Sequence, residues 1–298
     1  MAGDGIEYKL EEPIWNEWYR DSGRETLCNM EEKKMGWNDA YWKNRDGRKA
    51  NAAAHHERML QTRSQDIADS VNSTKIYSDK VENAEEYTGS PESIVVNMDT
   101  VSAVFEYGTG DARTIALNFA SFKNPGGGFL GGSSAQEESL CMESTLYEVL
   151  SDPKLADYYA YNNMHKNRAL YQNRALLSPG IVFERDGREV KSSVLTCAAP
   201  NRKAYMNYME GATEKENLRV LEERIQFVAD IINAQKAEVA ILGAFGCGVF
   251  GQDPKIVAGL FKEKMERSSV KKIVYAVIDK GGHSKEGAYA LFRQVIED

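Results

Sequence analysis

Hydrophobic and polar positions follow two different patterns along the chain, and the change falls near Ser90. From Pro13 to about Ser90, apolar residues are scattered among Glu, Lys, Arg and Ala, which predicts several amphipathic helices. After Ser90, short runs rich in β-branched residues alternate with helical stretches. The pattern predicts an N-terminal helical extension over residues 1–90 and an α/β domain over residues 91–298.

The alternating part of the chain contains predicted strands and helices in turn. The predicted strands are 94–98, 114–119, 181–184, 193–197, 238–242 and 272–278. The predicted helices are 100–107, 139–150, 214–235 and 254–267. Such alternation predicts a three-layer α/β/α fold with a largely parallel, mixed sheet, whose ligands usually bind at the carboxyl ends of the strands.

The charge balance, the length of apolar runs and the cysteine spacing exclude several classes of protein function. The chain has 37 Lys and Arg against 45 Asp and Glu, and this acidic balance disfavours broad nucleic-acid coating, which needs clustered positive charge. No apolar run approaches the roughly 18 residues of a membrane span, and no basic segment followed by an apolar one opens the chain. The four cysteines lie far apart without a CxxC pair, which predicts reduced thiols and an intracellular protein, cytoplasmic or nuclear.

Glycine is concentrated in two short windows that each follow a predicted strand and precede a predicted helix. The windows contain Gly126, Gly127, Gly128, Gly131 and Gly132, then Gly243, Gly246, Gly248 and Gly251. In this setting, backbone N–H groups and a helix N-terminus can surround a phosphate, and two such loops can hold a diphosphate from both sides. The alternative is that the glycines only form tight turns.

Both windows also match the dinucleotide pattern G-x-G-x-x-G, which keeps an NAD-dependent oxidoreductase as a rival interpretation. The second window is followed by a helix, a strand and Asp279, a candidate ribose-binding acid. Only 19 residues follow Asp279, however, too few for the strands that a Rossmann half-sheet needs beyond that point. A Walker A loop is absent, because no Gly-Lys-Ser/Thr triplet follows either window.

Two adjacent carboxylates follow the first glycine window. Glu137 and Glu138 stand after Gln136, directly before the predicted helix, where glutamates commonly complement the helix dipole. Close to bound phosphates they have a second use, because mutual repulsion raises the pKa of at least one of them. A protonated glutamate beside a sugar phosphate is a general acid for a glycosidic oxygen, and no metal is required.

These segments together resemble a known family. The run from Asn118 to Ser121, the run from Asn124 to Gly132 and the run from Gln136 to Ser139 resemble the GGG-X(6–8)-QEE signature of poly(ADP-ribose) glycohydrolases in the microbial-type form. The spacer of seven residues lies within the family range. The segment from Gly243 to Gly251 resembles the second phosphate loop of the macrodomain fold. The resemblance extends from about Pro91 to the C-terminus and implies a macrodomain with an N-terminal helical extension.

The resemblance also implies roles for individual residues. Glu138 is expected to be the catalytic acid and Glu137 to hold the ribose that is released. Asp99 resembles the acid that accepts from the adenine amino group, and Phe250 is expected to press on the terminal ribose. Asn118 either makes a structural hydrogen bond or contacts a ribose hydroxyl. The other expected substrate contacts are Asn124, Gly126, Gly127, Gly128, Gln136, Gly246, Cys247, Gly248 and Val249.

The implied activity is hydrolysis of ribose–ribose O-glycosidic bonds in poly(ADP-ribose), which releases ADP-ribose and reverses ADP-ribosylation, as in the DNA damage response. The expected partners are the polymer and ADP-ribosylated proteins, with no cofactor, no membrane and no sequence-specific nucleic acid. The alternatives are removal of single ADP-ribose units from acceptors and a non-catalytic ADP-ribose-binding macrodomain.

The cysteines and the histidines are the remaining candidates for chemistry. Cys141, Cys197 and Cys247 fit packing as small apolar groups better than a role as nucleophiles. Cys247 is the exception to consider, because a phosphate loop can lower the pKa of a thiol. His55 and His56 are neighbours on a predicted helix and His165 and His283 are isolated, so we predict ordinary surface or hydrogen-bonded histidines and no metal site.

Overall fold

A computed structural model describes residues 44–81, 87–278 and 287–297. Its centre is a seven-stranded sheet in the order β1-β4-β5-β3-β6-β7-β2. The strands are β1 Lys75–Ser78, β2 Glu92–Val96, β3 Thr114–Phe119, β4 Arg174–Arg185, β5 Arg188–Cys197, β6 Val239–Leu242 and β7 Lys272–Ala276. The pairings β5-β3, β3-β6, β6-β7 and β7-β2 are parallel, whereas β1-β4 and β4-β5 are antiparallel. The predicted mixed, largely parallel sheet is confirmed.

Helices cover both faces of the sheet. They are α1 Arg45–Thr62, α2 Ser64–Ser73, α3 Thr100–Tyr107, α4 Gln136–Met142, α5 Leu146–Leu150, α6 Ala156–Met164, α7 Arg202–Tyr208, α8 Glu214–Ala234, α9 Pro254–Met265 and α10 Ala288–Glu297. No helix among the described residues is long and apolar enough to cross a membrane.

The hydrophobic core has two parts, one on each face of the sheet. Side chains alternate along β3, so that Ile115 and Leu117 pack with α8, α9 and α10 on one face. Ala116 points to the opposite face and packs with residues of α1 to α4. The three predicted layers are therefore present.

The described part of the predicted N-terminal extension packs on this sheet. Met59 of α1 and Val71 of α2 are buried in the core of one face. Strand β1, which the sequence patterns did not predict, pairs with β4 at the edge of the sheet. Residues 44–81 thus belong to the same compact unit as the described residues that follow. Residues 1–43 lie outside the described part of the chain.

The hairpin of β4 and β5 is longer than the two predicted strands. Asp186 and Gly187 connect the strands, and their φ angles of 51° and 71° are those of a two-residue type I′ turn. An Asp-Gly pair between β-rich runs is the signal for such a hairpin, and it was present in the sequence.

The predicted helix over 139–150 begins earlier and is interrupted. Between α4 and α5 the chain pairs briefly with β4, where Ser144 forms an isolated bridge with Phe183. Glu184 N donates to Glu143 O at 2.8 Å, and Thr145 N donates to Val182 O at 3.0 Å. These bonds replace helical ones, so the break is a tertiary effect.

Candidate active site

The first glycine loop begins where β3 ends, at the carboxyl edge of the parallel strands. Its first turn runs from Asn124 to Gly127, and Gly127 N donates to Asn124 O at 3.1 Å. Pro125 provides the fixed φ of the second position, and Gly126 has a φ of 63°, as a type II turn requires. Local sequence therefore determines the path of this loop.

Gly127 lies directly against the two carboxylates of α4. Its φ is 61°, and a Cβ at this position would lie 2.6 Å from Glu138 Oε1 and 2.9 Å from Glu137 Oε2. Both carboxylate oxygens therefore face the same point above the loop. A glycine is needed here because the carboxylates occupy the space that a side chain would take.

Glu138 is held from two sides by backbone N–H groups. Gly128 N donates to Oε1 at 2.8 Å, and Ala135 N donates to Oε2 at 2.9 Å. The second bond is half of a capping box, since Glu138 is the third residue of α4 and Ala135 precedes that helix. The side chain is only 8% exposed. The carboxylate is therefore fixed in position before any ligand binds.

Glu137 is buried more deeply, at 3% exposure. Ser121 N donates to its Oε2 at 2.7 Å, and Asn118 Nδ2 donates to Oε1 at 3.2 Å. Burial raises the pKa of Glu137 to about 8, and the neighbouring charge of Glu138 adds to this rise, while the two hydrogen bonds oppose it. The expectation that one of the two carboxylates has a raised pKa thus applies to Glu137.

The raised pKa of Glu137 predicts a pH-dependent effect of Glu137→Gln on stability. Between pH 4.5 and pH 8 the folded protein retains a proton that an unfolded glutamate has already lost. Raising the pH across this window therefore favours the unfolded wild-type chain, and a glutamine lacks this penalty. We expect the melting temperature of Glu137→Gln, relative to wild type, to increase as the pH rises through this range.

Thermal unfolding at several pH values measures this difference, with the exposed Glu57→Gln as the matched control. The control should shift little relative to wild type at any pH. A Glu137→Gln difference that stays constant with pH would contradict the assignment of the proton to Glu137.

Asn118 and Gln136 position the neighbouring groups. Asn118 is fully buried and donates from Nδ2 to Glu137 and to Thr196 Oγ1, while its Oδ1 has no hydrogen-bond partner among the described residues. Gln136 Oε1 accepts from Phe119 N at 2.8 Å, while its Nε2 donates to Leu117 O at 2.9 Å. Gln136 therefore joins the end of β3 to the start of α4.

Asp99 stands at the N-terminus of α3, after β2. Its carboxylate accepts from Ser102 N at 2.9 Å and from Ser102 Oγ at 2.5 Å, and Arg185 Nη2 lies 3.1 Å from Oδ1. Burial raises the pKa of Asp99, but the Ser102 hydrogen bonds and the Arg185 charge outweigh it and lower the pKa overall. Both oxygens therefore have protein partners, and an adenine amino group would have to share them.

The two glycine loops differ in what their N–H groups do. In the first loop, the N–H groups of Gly127 and Gly128 are used by Asn124 O and Glu138. In the second loop, among the described residues, the N–H groups of Gly248, Val249 and Phe250 have no backbone acceptor. Gly248 and Val249 are exposed, Val249 to 75%. The N–H groups of Gly248, Val249 and Phe250 are therefore candidate donors for an anion.

The rest of the second loop is shaped by close packing. Gly246 has a φ of 74°, and a Cβ there would lie 2.6 Å from Ala199 Cβ. Phe250 is half-buried, and its carbonyl accepts from Lys203 N at 2.9 Å. The lowered pKa considered for the Cys247 thiol is not found, because burial and the charge of Asp253 raise its pKa.

Helix α1 covers the first glycine loop, a contact that sequence patterns did not reveal. Arg45 Nε donates to Gly131 O at 2.9 Å, and Arg48 Nε donates to Gly132 O at 2.7 Å. His55 Nε2 lies 2.9 Å from Ser144 O. The only signal in the sequence was the pair of arginines three positions apart near the start of this helical segment, and such a pair specifies no partner. The segment before residue 90 therefore helps to hold the loop that contacts the carboxylates.

No metal-binding cluster is formed within the part of the chain that the structure describes, where no three His, Cys, Asp or Glu side chains converge. His165 Nδ1 lies 2.8 Å from Tyr161 O, and His56 Nδ1 lies 3.0 Å from Glu148 Oε1. His283 lies outside the described residues.

A three-layer α/β/α fold with a mixed sheet, two glycine loops and two buried carboxylates after β3 is macrodomain-like. The family described as "Microbial-type PARG, catalytic domain" matches residues 46–186, from the start of α1 to the turn after β4. Comparison with curated proteins gave no match.

Solved structures extend the family match over most of the chain. The poly(ADP-ribose) glycohydrolase of Deinococcus radiodurans, crystallised with ADP-ribose, is 32% identical with a TM-score of 0.70, over 78% of this chain and 97% of that one. The poly(ADP-ribose) glycohydrolase of Thermomonospora curvata, bound to the inhibitor ADP-HPD, is 30% identical with a TM-score of 0.70, over 84% and 99%. The chain belongs to the microbial-type poly(ADP-ribose) glycohydrolase family.

Proposed function

We propose that this protein hydrolyses the ribose–ribose O-glycosidic bond of poly(ADP-ribose) and releases ADP-ribose, with Glu138 as general acid and base. The observation that carries the proposal is the position of two buried carboxylates against Gly127, between β3 and the start of α4. Solved relatives of this family hold ADP-ribose or the inhibitor ADP-HPD. The fold and the buried carboxylate pair support the proposal.

The carboxylate pair supplies the proton for bond cleavage. With the pKa of Glu137 raised to about 8, the pair retains one proton at neutral pH. Glu138 takes up this proton from Glu137 and gives it to the departing ribose oxygen as the bond to the anomeric carbon breaks. The carboxylate then accepts a proton from the water that attacks that carbon. One residue thus serves both steps, because neighbours in sequence cannot easily flank the bond.

The two loops bind the substrate around this pair. The open N–H groups of Gly248, Val249 and Phe250 are suited to the diphosphate, whose negative charge they can surround. Negative charge close to the anomeric carbon also stabilises the oxocarbenium-like transition state. Phe250 then forms the wall that keeps the terminal ribose near Glu138. The first loop contributes by holding the carboxylates.

A direct assay tests the activity. The purified full chain is incubated with a poly(ADP-ribosyl)ated protein, and the product is identified by mass, with a mono-ADP-ribosylated protein tested in parallel. Free ADP-ribose from the polymer alone supports the proposal. Release only from the mono-ADP-ribosylated protein would favour an acceptor hydrolase, and binding without any product would indicate a reader domain.

Cysteine burial supports an intracellular setting, cytoplasmic or nuclear. Cys141 and Cys197 are buried free thiols and Cys247 is half-buried. Free thiols persist in reducing compartments. Cys28 lies outside the described residues.

Phe250→Ala is expected to lower turnover by about 10²-fold with little change in melting temperature, because a small misplacement of the reacting sugar is costly. The ring is only half-buried, so its removal leaves no closed cavity. Turnover and melting are measured on one preparation.

Phe245→Ala is the matched control for Phe250→Ala. Phe245 belongs to the same loop but is fully buried, so its loss should cost about 3 to 5 kcal/mol of stability. A Phe250→Ala protein that melts early yet hydrolyses normally in the cold would refute the ribose-orienting role.

A further inference from the structure

The segment from Asn167 to Tyr171 has an unusual backbone. Asn167, Arg168, Ala169 and Tyr171 have φ angles of 41°, 52°, 72° and 63°. Residues other than glycine rarely adopt these left-handed conformations, and each costs on the order of 1 kcal/mol or more. Such strain persists only where the surrounding structure holds it, and it is concentrated at functional sites.

Several hydrogen bonds hold this strained segment in place. Asn167 Nδ2 donates to Tyr171 O at 3.1 Å, which closes the turn on itself. Asn201 N donates to Ala169 O at 3.0 Å. Beneath the segment, the fully buried Arg224 donates to Asn173 Oδ1 at 2.6 Å and reaches Leu170 O at 3.5 Å. The buried guanidinium of Arg224 thus stabilises this segment.

The strained backbone places the ring of Tyr171 between the two active-site loops. Tyr171 is only 7% exposed. It stacks on Phe122, with ring centroids 4.4 Å apart and planes 12° from parallel. Phe122 belongs to the segment between β3 and the first glycine loop. On the other side, the centroid of Phe250 in the second loop lies 6.1 Å from that of Tyr171.

We infer that Tyr171 is a positioning residue for the glycosidic reaction, which acts by holding Phe250 against the terminal ribose. Phe250 stands on a loop whose neighbours Gly248 and Val249 are exposed, so its ring needs support from elsewhere in the fold. Tyr171 provides a rigid aromatic surface that is anchored to Phe122. This inference rests on the proposed function, since it assigns to Tyr171 an effect on turnover through Phe250.

The competing explanation is that Tyr171 only fills space in the fold. The second loop has a further anchor, since Lys203 N binds Phe250 O whether or not the Tyr171 ring is present. A packing role would lower stability without selectively lowering kcat. A positioning role requires that the effect of Tyr171 on kcat depends on the presence of the Phe250 ring.

A double-mutant cycle distinguishes the two roles. We expect Tyr171→Leu to lower kcat about ten-fold at a temperature where the protein is fully folded, while KM changes much less. Tyr171→Phe keeps the ring and should restore kcat towards the wild-type value. In a Phe250→Ala background, Tyr171→Leu should lower kcat no further. Additive losses in the double variant, or a normal kcat for folded Tyr171→Leu, would overturn the inference.

Two more variants keep the test decisive. If Tyr171→Leu does not fold, Phe122→Leu removes the other ring of the stack. This variant should lower kcat in the wild-type background but not in the Phe250→Ala background. If Phe122→Leu lowers only the melting temperature, the inference is overturned. Tyr208→Leu is the control, since that tyrosine is 78% exposed and should leave kcat unchanged. An inactive wild-type protein would instead refute the proposed function, so the two failures are distinguishable.

Discussion

Replacing Glu138 by Gln is expected to lower turnover by about 10² to 10⁴-fold while ADP-ribose binding persists, because the amide cannot transfer a proton. The two backbone N–H groups that hold Glu138 explain why binding survives. Gly128 N and Ala135 N belong to the loop and the helix start, and they remain in place when the acid is replaced. Turnover is measured by release of ADP-ribose and affinity by calorimetry.

The Glu138→Gln experiment needs a stability control. The NH₂ group of the new amide will face a backbone N–H group that donates to a carboxylate oxygen in the wild type. Two donors then face each other, so the variant should also lose about 1 to 3 kcal/mol of stability. Assays are therefore run well below the melting temperature, beside the exposed Glu57→Gln, which should match wild type. Turnover near the wild-type rate in folded Glu138→Gln would rule out Glu138 as the acid.

Gly127→Val is expected to abolish turnover, because its side chain would displace both carboxylates. The Cβ would lie 2.6 Å from Glu138 Oε1, well inside van der Waals contact. A branched residue at a φ of 61° is also strained, which predicts a loss of about 1 to 3 kcal/mol of stability. We also expect calorimetry to show weakened ADP-ribose binding, since the loop itself must shift.

Gly211→Val separates strain from displacement of the carboxylates. Gly211 has a φ of 66°, close to that of Gly127, but a Cβ there meets nothing within 4 Å. Both variants should therefore melt earlier, whereas only Gly127→Val should lose turnover. If Gly127→Val hydrolyses the polymer normally, the contact between this loop and the carboxylates has no functional importance.

Sequence patterns predicted the elements that depend on near neighbours. The predicted strand 114–119 and helix 100–107 have the same bounds in the structure, because alternation and helical spacing report which face of a short segment is buried. The same patterns missed β1, because its residues are mostly exposed and so form no apolar run, unlike the equally short but buried β6. They also predicted a continuous helix through residues 143–145, where the backbone instead forms hydrogen bonds with β4.

The sequence by itself determined which chemical groups the site contains. These are a glycine-rich loop, two carboxylates shortly after it, and a second glycine-rich loop that follows β6. Only the tertiary structure decided which carboxylate keeps the proton, since burial raises the pKa of Glu137 to about 8 and burial depends on distant packing. Tertiary structure also decided that α1 packs over the first glycine loop and that the Tyr171 ring lies between the rings of Phe122 and Phe250. These contacts join residues far apart in the chain, and no local pattern encodes them.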